Sequence, residues 1–466
     1  MCTLICRVCQ ATFQFGYLGG HPWLECTGRA CWWRPSPGVA LTAACTGTPS
    51  APKAEDDPTK DVTITFWHGW SAPGELAAIT ANVEAFQRKH PNIHVKAVGN
   101  IDDDKIKQAL RTGGSDAPDV VSSFTTTNVG AFCSTNALVD LTPFLAKSGI
   151  DLDKTFPAPM RNYTQYRGKR CTLPLLADAY GLYYNKDAFK AAGITAPPKT
   201  FSEFEADAQK LTKSTGDTYS QLGFMPNYHG YESGLEQYGF QFGARYFDDQ
   251  GKANASRDPN VGKMFQTQKR LVDALGGYAK LERFRTTFGD EFGAKNPFHT
   301  GQVAMAFDGE WRANMAAEAG VTFEVGVAPL PVPDDQADAY GRGGLAGTVI
   351  GVSSRSEKQN AAWELTKYLT TDTDAVVGFA NAIHNVPSTF AALNSPNLAK
   401  DPAMAVFIGI AQDQHSISPP ATPNGGAYLL TLKDVGYRYE SGQIADLPAA
   451  LQAADAQIDK DLAQSR

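Results

Sequence analysis

From Asp61 onward the chain repeats one pattern, a short apolar strand followed by an amphipathic helix, and this alternation constrains the fold most. Residues 61–66 alternate polar and apolar and are rich in β-branched side chains, as in a strand with one buried face. A helix is expected near 73–89, with Leu76, Ile79, Val83 and Phe86 on one stripe, ending at His90-Pro91. Ile93–Val98 reads as a second strand, 102–112 as a helix and Pro118–Val121 as a short buried strand. Further helices are expected near 129–137, 186–192, 201–213, 258–275, 310–318, 357–370, 373–381, 402–411 and 442–464. Strands alternating with helices of about ten to fifteen residues form βαβ units, so the expected class is α/β with mainly parallel sheets. No internal repeat of fixed period is found.

With 466 residues, 42% of them hydrophobic, the chain can bury at least two cores. The net charge of −7 argues against nucleic acid as the main partner. No run of about 18 apolar residues is present, so no transmembrane helix is expected.

Six of the eight cysteines, Cys2, Cys6, Cys9, Cys26, Cys31 and Cys45, fall in the first 45 residues. Cys6-x-x-Cys9 with Cys26 and Cys31 matches zinc-ligand spacing only weakly. Leu41-Thr42-Ala43-Ala44 before Cys45 reads instead as a lipobox, in which the cysteine is lipidated and starts the mature chain. Residues 46–60 then have the composition of a flexible tether. Residues 1–37 lack the apolar run of a signal peptide. Either the leader is unusual or the recorded start is not the natural one.

Five later segments stand in a fixed order: YRGKRCTLPLLADAYGLYYNKD (166–187), HTGQVAMAFDGEWRANM (299–315), FEVGVAPLPVP (323–333), GGLAGTVIGVSSRSEKQNAAWELTKYLTT (343–371) and HNVPSTFAAL (384–393). With the strand–loop TITFWHGWSAPGE (63–75), this set resembles the extracellular solute-binding proteins of ABC importers, in the carbohydrate-binding family that includes maltose-binding protein. The resemblance runs from about residue 60 to the C-terminus. It implies a periplasmic-binding-protein-like fold, two α/β lobes joined by a three-segment hinge with ligand in the cleft. The crossings are expected near 176–181, 328–333 and 383–387. Lobe one would be 60–178 with 330–383, and lobe two 179–329 with 384–466. The implied function is capture of a sugar or oligosaccharide by a monomer and its delivery to ABC permease subunits in the membrane. The location would be the extracellular face of the membrane, lipid-anchored through Cys45, or the periplasm. No cofactor and no metal is expected. In an exported protein the two remaining cysteines, Cys133 and Cys171, are expected to form a disulfide.

A sugar needs flat apolar area for its C–H faces and fixed donors and acceptors for its hydroxyls. In open α/β sheets ligands sit beyond the carboxyl ends of strands. Trp67, His68 and Trp70 lie there, with Trp67 equally suited to capping the core. Thr125 or Thr126 could bond a hydroxyl, while Thr127 or Asn128 is expected to cap the next helix. Asp178, beside Tyr180, stands in an apolar run, where an acid is costly unless paired. The resemblance implies that Asp178 contacts the sugar at the hinge, against a salt bridge to Arg or Lys. It also implies that the loop holding Tyr228 and Glu232 reaches the ligand and that Trp311 stacks on it. Asp308 and Glu310 could bond hydroxyls or complement the dipole of the helix that follows. Gly343 and Gly344 would let backbone approach ligand, or serve a turn needing positive φ. Arg342 could fork to a hydroxyl pair or to Asp178. Asn385 and Tyr428 complete the set.

Three other readings remain. A glycoside hydrolase would use Asp178 with Asp308 or Glu310 as its acid pair, but no nucleophile elbow, zinc-binding HExxH or P-loop accompanies them. The others are a binder of a peptide, polyamine or other non-sugar solute, and a structural lipoprotein.

Overall fold

The structure is a computed structural model that describes residues 17–18, 21–22, 57, 59–114, 117–226, 234–413 and 415–465. The chain divides into two compact units, Met1–Lys53 and Ala54–Arg466. In the first, Tyr17–Leu18 pairs antiparallel with His21–Pro22. The six N-terminal cysteines, the lipobox, most of the tether, Tyr228 and Glu232 lie outside the described residues.

The second unit holds twelve described strands: β1 Val62–Trp67, β2 Ile93–Val98, β3 Val120–Ser123, β4 Leu173–Pro174, β5 Leu176–Asn185 and β6 Lys213–Thr215, then β7 Thr218–Phe224, β8 Val303–Gly309, β9 Val325–Ala328, β10 Leu345–Ala346, β11 Val349–Val352 and β12 Val386–Pro387. The first sheet runs β2-β1-β3-β11-β4. The second runs β9-β5-β8-β7-β6, with β10 and β12 also paired to β5. Each sheet forms one lobe; the core of the first continues onto β5 through Ala177, Ala179 and Tyr183, and a second core fills lobe two.

The sheets are mixed, where the alternation predicts mainly parallel ones. β1 pairs in parallel with β2 and β3, and β8 with β7, but β11 runs antiparallel to β3 and β4, and β5 to β8, β9, β10 and β12. Strands entering from the other lobe need no helical crossover, so nothing forces them into the parallel sense.

The three crossings converge on the start of β5. Only Leu175 separates β4 from β5, and its N–H donates to Thr348 O at 2.8 Å. The second crossing is Gly347-Thr348, between β10 and β11, and not 328–333. That Pro-rich run stays in lobe two: Val332 N–H donates to Lys199 O at 3.0 Å, and Phe201 N–H donates to Val332 O at 2.9 Å. Gly347 has φ 145°, and a Cβ there would fall 2.3 Å from Leu176 O, so only glycine fits where two crossings touch. The third passes through Asn385 into β12, with Val386 opposite Ala177 and Ser388 Oγ donating to Leu175 O at 3.1 Å.

The remaining corrections concern helices. Pro402–Gln412 packs on β5 and β9, but Phe390–Leu393 packs on lobe-one helices, so 384–466 is not wholly lobe two. Helices Tyr278–Arg285 and Tyr428–Glu440 lie outside the expected set, and the last helix begins at Leu447, not near 442. Cys133 and Cys171 form a disulfide with Cα atoms 5.5 Å apart. It fastens helix Asn128–Ser134 to the segment entering β4. Among the described residues no helix is long and apolar enough to cross a membrane.

Candidate ligand-binding site

At the lobe-one end, β1 alternates inward Ile64 and Phe66 with outer neighbours, then runs into a loop tied to the residues after β2. His68 N–H donates to Val98 O, Ile101 N–H to His68 O and Asn100 N–H to Trp70 O, all between 3.0 and 3.1 Å. His68 lies between Phe66 and Trp70, ring centroids 5.3 and 5.4 Å away. It is buried, and burial lowers its pKa to about 4, so it is a neutral ring at neutral pH. Trp70 is 3% exposed, edge-on to Phe124 and to Phe379. Trp67 is half-buried, with Lys105 Nζ 5.7 Å from its ring centre. The expected order of exposure is thus inverted: Trp67, the residue shared between core and loop, is the more open tryptophan.

Phe124 opens the strand-end segment 124–128 but is not among the expected contact residues. It follows β3, lies against Gly69 and is 45% exposed, an uncovered ring at a strand's carboxyl end. The signal was there: an aromatic directly after a buried strand, at the position where ligands bind. Thr125 beside it is exposed, whereas Thr126, Thr127 and Asn128 are buried. Neither Thr127 nor Asn128 caps the helix through its side chain. Thr127 Oγ1 donates to Gly425 O at 3.4 Å and Asn128 Nδ2 to Asp103 Oδ2 at 3.0 Å.

At the hinge, Asp178 and Tyr180 are two apart on β5 and share a face. Asp178 is half-buried and Tyr180 buried. Among the described residues no Arg or Lys pairs with Asp178. Asn385 Nδ2 donates to Asp178 Oδ1 at 2.9 Å and to Glu310 Oε1 at 2.8 Å. His384, with φ 55°, turns the chain out of the preceding helix and so aims Asn385 at this point. Arg342 is engaged elsewhere, with Gln241 O and with Gln336 Oε1.

At the lobe-two end, β8 runs into Asp308-Gly309-Glu310 and then helix Trp311–Glu318. Asp308 Oδ2 accepts from Arg312 Nε at 2.6 Å, and both side chains are buried. Glu310 turns away from the helix toward the hinge, where it accepts from Ala179 N–H at 3.0 Å and Val386 N–H at 3.4 Å. Burial raises the pKa of all three acids. It carries Asp178 to about 7, opposed by the Asn385 donor. It carries Glu310 well above the usual carboxylate range, helped by the charge of Asp178. For Asp308 the rise is opposed by Arg312. The Trp311 ring is half-buried, edge-on to Tyr180 at 5.8 Å, and lies over Gly309, where a Cβ would fall 2.3 Å from it.

The last candidates lie in packing. A Cβ on Gly344 would meet the Phe240 ring and one on Gly343 would meet Ile410, and neither glycine has positive φ. Their backbones bond to the 416–417 segment. Tyr428 is buried between Tyr246 and Phe247, centroids 5.6 and 4.9 Å away. The structure therefore brings Asp178, Tyr180, Asp308, Glu310, Trp311 and Asn385 together at the hinge. It gathers Trp67, His68, Trp70 and Thr125 at the lobe-one strand ends, and leaves Tyr428 in the lobe-two core.

Two lobes whose cores meet through three strand crossings, with acids and rings gathered at the crossing point, match the profile of bacterial extracellular solute-binding proteins over residues 70–376, more than half the chain. The chain belongs to that family. Family membership makes it a solute binder and removes the hydrolase reading. It is 25% identical over 370 residues to a maltotriose-binding protein of Pyrococcus abyssi, covering 78% of this chain and 74% of that one. Its fold is shared by CpMnBP1, solved with mannotriose bound, at TM-score 0.73 and 23% identity, covering 85% and 99% of the two chains. The sugar-binding protein MalE of Xanthomonas citri superposes with TM-score 0.71 at 22% identity, covering 86% and 98%.

Proposed function

We propose that this solute-binding protein captures a neutral sugar or short oligosaccharide at the hinge between its lobes and presents it to an ABC-type permease. One observation carries the reading. Asp178 and Tyr180 share a face of β5, and the half-buried Trp311 ring stands edge-on to Tyr180, so a flat apolar plate and a carboxylate lie side by side. A pyranose ring needs that pairing: a C–H face on the plate and hydroxyls on the acid. Phe124 adds exposed apolar area from lobe one. The maltotriose-binding relative supports the same ligand class.

Ligand touching both lobes favours the closed arrangement by its differential affinity, and closure hands the permease a distinct shape. Energy for transport comes from a separate ATPase, since this chain carries no phosphate-binding loop. The working form in this reading is a monomer at the extracellular face of the membrane, held there by lipid on Cys45.

A thermal-shift and calorimetric panel of maltotriose, mannotriose, monosaccharides, a tripeptide and spermidine tests the ligand class. A true ligand at a hundred times its Kd stabilises by about 2.7 kcal/mol. Stabilisation by the peptide or the polyamine alone overturns the sugar reading. Trp311→Ala is expected to weaken sugar binding about thirtyfold, about 2 kcal/mol, and unchanged affinity removes Trp311 from the site.

A further inference from the structure

Glu310 does something at the hinge that a helix-start acid ordinarily does not. It leaves the helix N-terminus and bonds to two of the crossing segments, through Ala179 N–H on β5 and Val386 N–H on β12. It also shares one donor with Asp178: the Asn385 amide nitrogen lies 2.9 Å from Asp178 Oδ1 and 2.8 Å from Glu310 Oε1. Among the described residues, no Lys or Arg pairs with either of these two carboxylates.

The surrounding elements supply none either. Tyr163, from helix Ala158–Tyr163, faces Asp178 with a fully buried phenol. Tyr183 on β5 faces Glu310, its hydroxyl donating to Gly309 O at 2.8 Å. Behind them Arg312 is committed to Asp308 at 2.6 Å and to Glu291 O at 3.0 Å, and Glu291 is a further acid on that side. Asp308 and Glu291 thus occupy the one guanidinium, and the two hinge carboxylates that share the Asn385 amide do not both ionise cheaply.

We propose that Asp178 and Glu310 hold a single proton between them just above neutral pH, and that the ligand hydroxyl binds to this half-protonated pair. Glu310 is then a positioning residue: it keeps Asn385 and Asp178 aimed at the ligand and carries the proton that lets Asp178 remain an acceptor. Burial, which raises both acids, and the charge of Asp178, which raises Glu310 further, outweigh the N–H donors of Asn385, Ala179 and Val386, which favour the ionised forms. A hydroxyl that donates to the Asp178 carboxylate loses its acceptor when the pair gains a second proton. Lobe closure dries the pair further and disfavours the doubly ionised form. Binding therefore peaks between the two steps. The acid limb falls through about 7, where Asp178 titrates, and the alkaline limb falls as Glu310 ionises.

The shared proton is read without any ligand; the binding half rests on the sugar reading above. Carboxyl carbon NMR of the ligand-free chain, with Glu310 identified by the signal lost in Glu310→Gln, is expected to find Glu310 still protonated at pH 7. Titration in the ordinary glutamate range, near about 4.3, overturns the proposal. Calorimetry with maltotriose is expected to show affinity falling up to about tenfold per pH unit on the alkaline limb. Glu310→Gln should lose that limb and keep the acid one. A uniform drop at every pH would mean that Glu310 only packs, and overturns the proposal. If Glu310→Gln does not fold, wild type in buffers of different ionisation heat reads the same quantity. Maltotriose binding on the alkaline limb must then take up a proton, and no uptake overturns the proposal. Failure of maltotriose to bind overturns the binding half and leaves the NMR titration to decide the proton.

Discussion

At the carboxyl ends of β1 and β3, lobe one presents rings packed on rings, with Trp70 beneath Phe124 and a neutral His68 beside it. At the corner after β8, lobe two presents acids: Asp308 on Arg312, and Glu310 reaching to the hinge. Rings adapt to any flat partner and respond little to pH. Buried acids fix direction and charge, and respond strongly. The contrast assigns ligand area to one side and ligand orientation to the other.

The largest tests remove one support from each side. Trp70→Ala should cost about 4 kcal/mol of stability by opening a cavity under Phe124 and Phe379. Arg312→Met should cost about the same by leaving Asp308 buried without its cation. Denaturant melts across pH separate the two. The Arg312→Met loss shrinks as pH falls and Asp308 takes a proton, while the Trp70→Ala loss does not. Equal pH behaviour would break the contrast.

The next test isolates His68. Burial lowers its folded pKa from 6.5 to about 4. The unfolded imidazole therefore takes a proton first. Stability is full above the unfolded value and is lost as pH falls from 6.5 toward 4, by about 3 kcal/mol in total. His68→Phe should flatten that part of the stability curve, and an unchanged slope would show that His68 is not the group responsible.

The smallest effect sharpens the division within lobe one. Phe124→Ala should weaken sugar binding by about 1 kcal/mol, roughly fivefold, with melting temperature nearly unchanged because the ring is 45% exposed. A large stability loss would make Phe124 part of the core.

Periodicity made the alternation legible, and with it the first three strands and most of the longer helices. The sense of the sheets was not legible, because antiparallel pairing here, the local β6–β7 hairpin aside, comes from strands entering at the hinge, and no local pattern records that. The second crossing was misplaced for a related reason. Prolines in 328–333 look like a connector because they cannot donate, yet the run stays extended beside Lys199 and Phe201. The true crossing, Gly347-Thr348, hides in an apolar glycine-rich run. At the site, residue types pointed to Asp178 and Trp311, but not to Glu310 as the hinge partner of Asn385. A contact between positions 75 apart in sequence leaves no spacing to read.

The Cys133–Cys171 bond closes a loop of 38 residues within one lobe only. Removing that much freedom from the unfolded chain is worth about 4 kcal/mol. Oxidation thus favours one half of the molecule over the other. Reduction should turn a single melting transition into two, lobe one going first, with the order of unfolding set by that one bond.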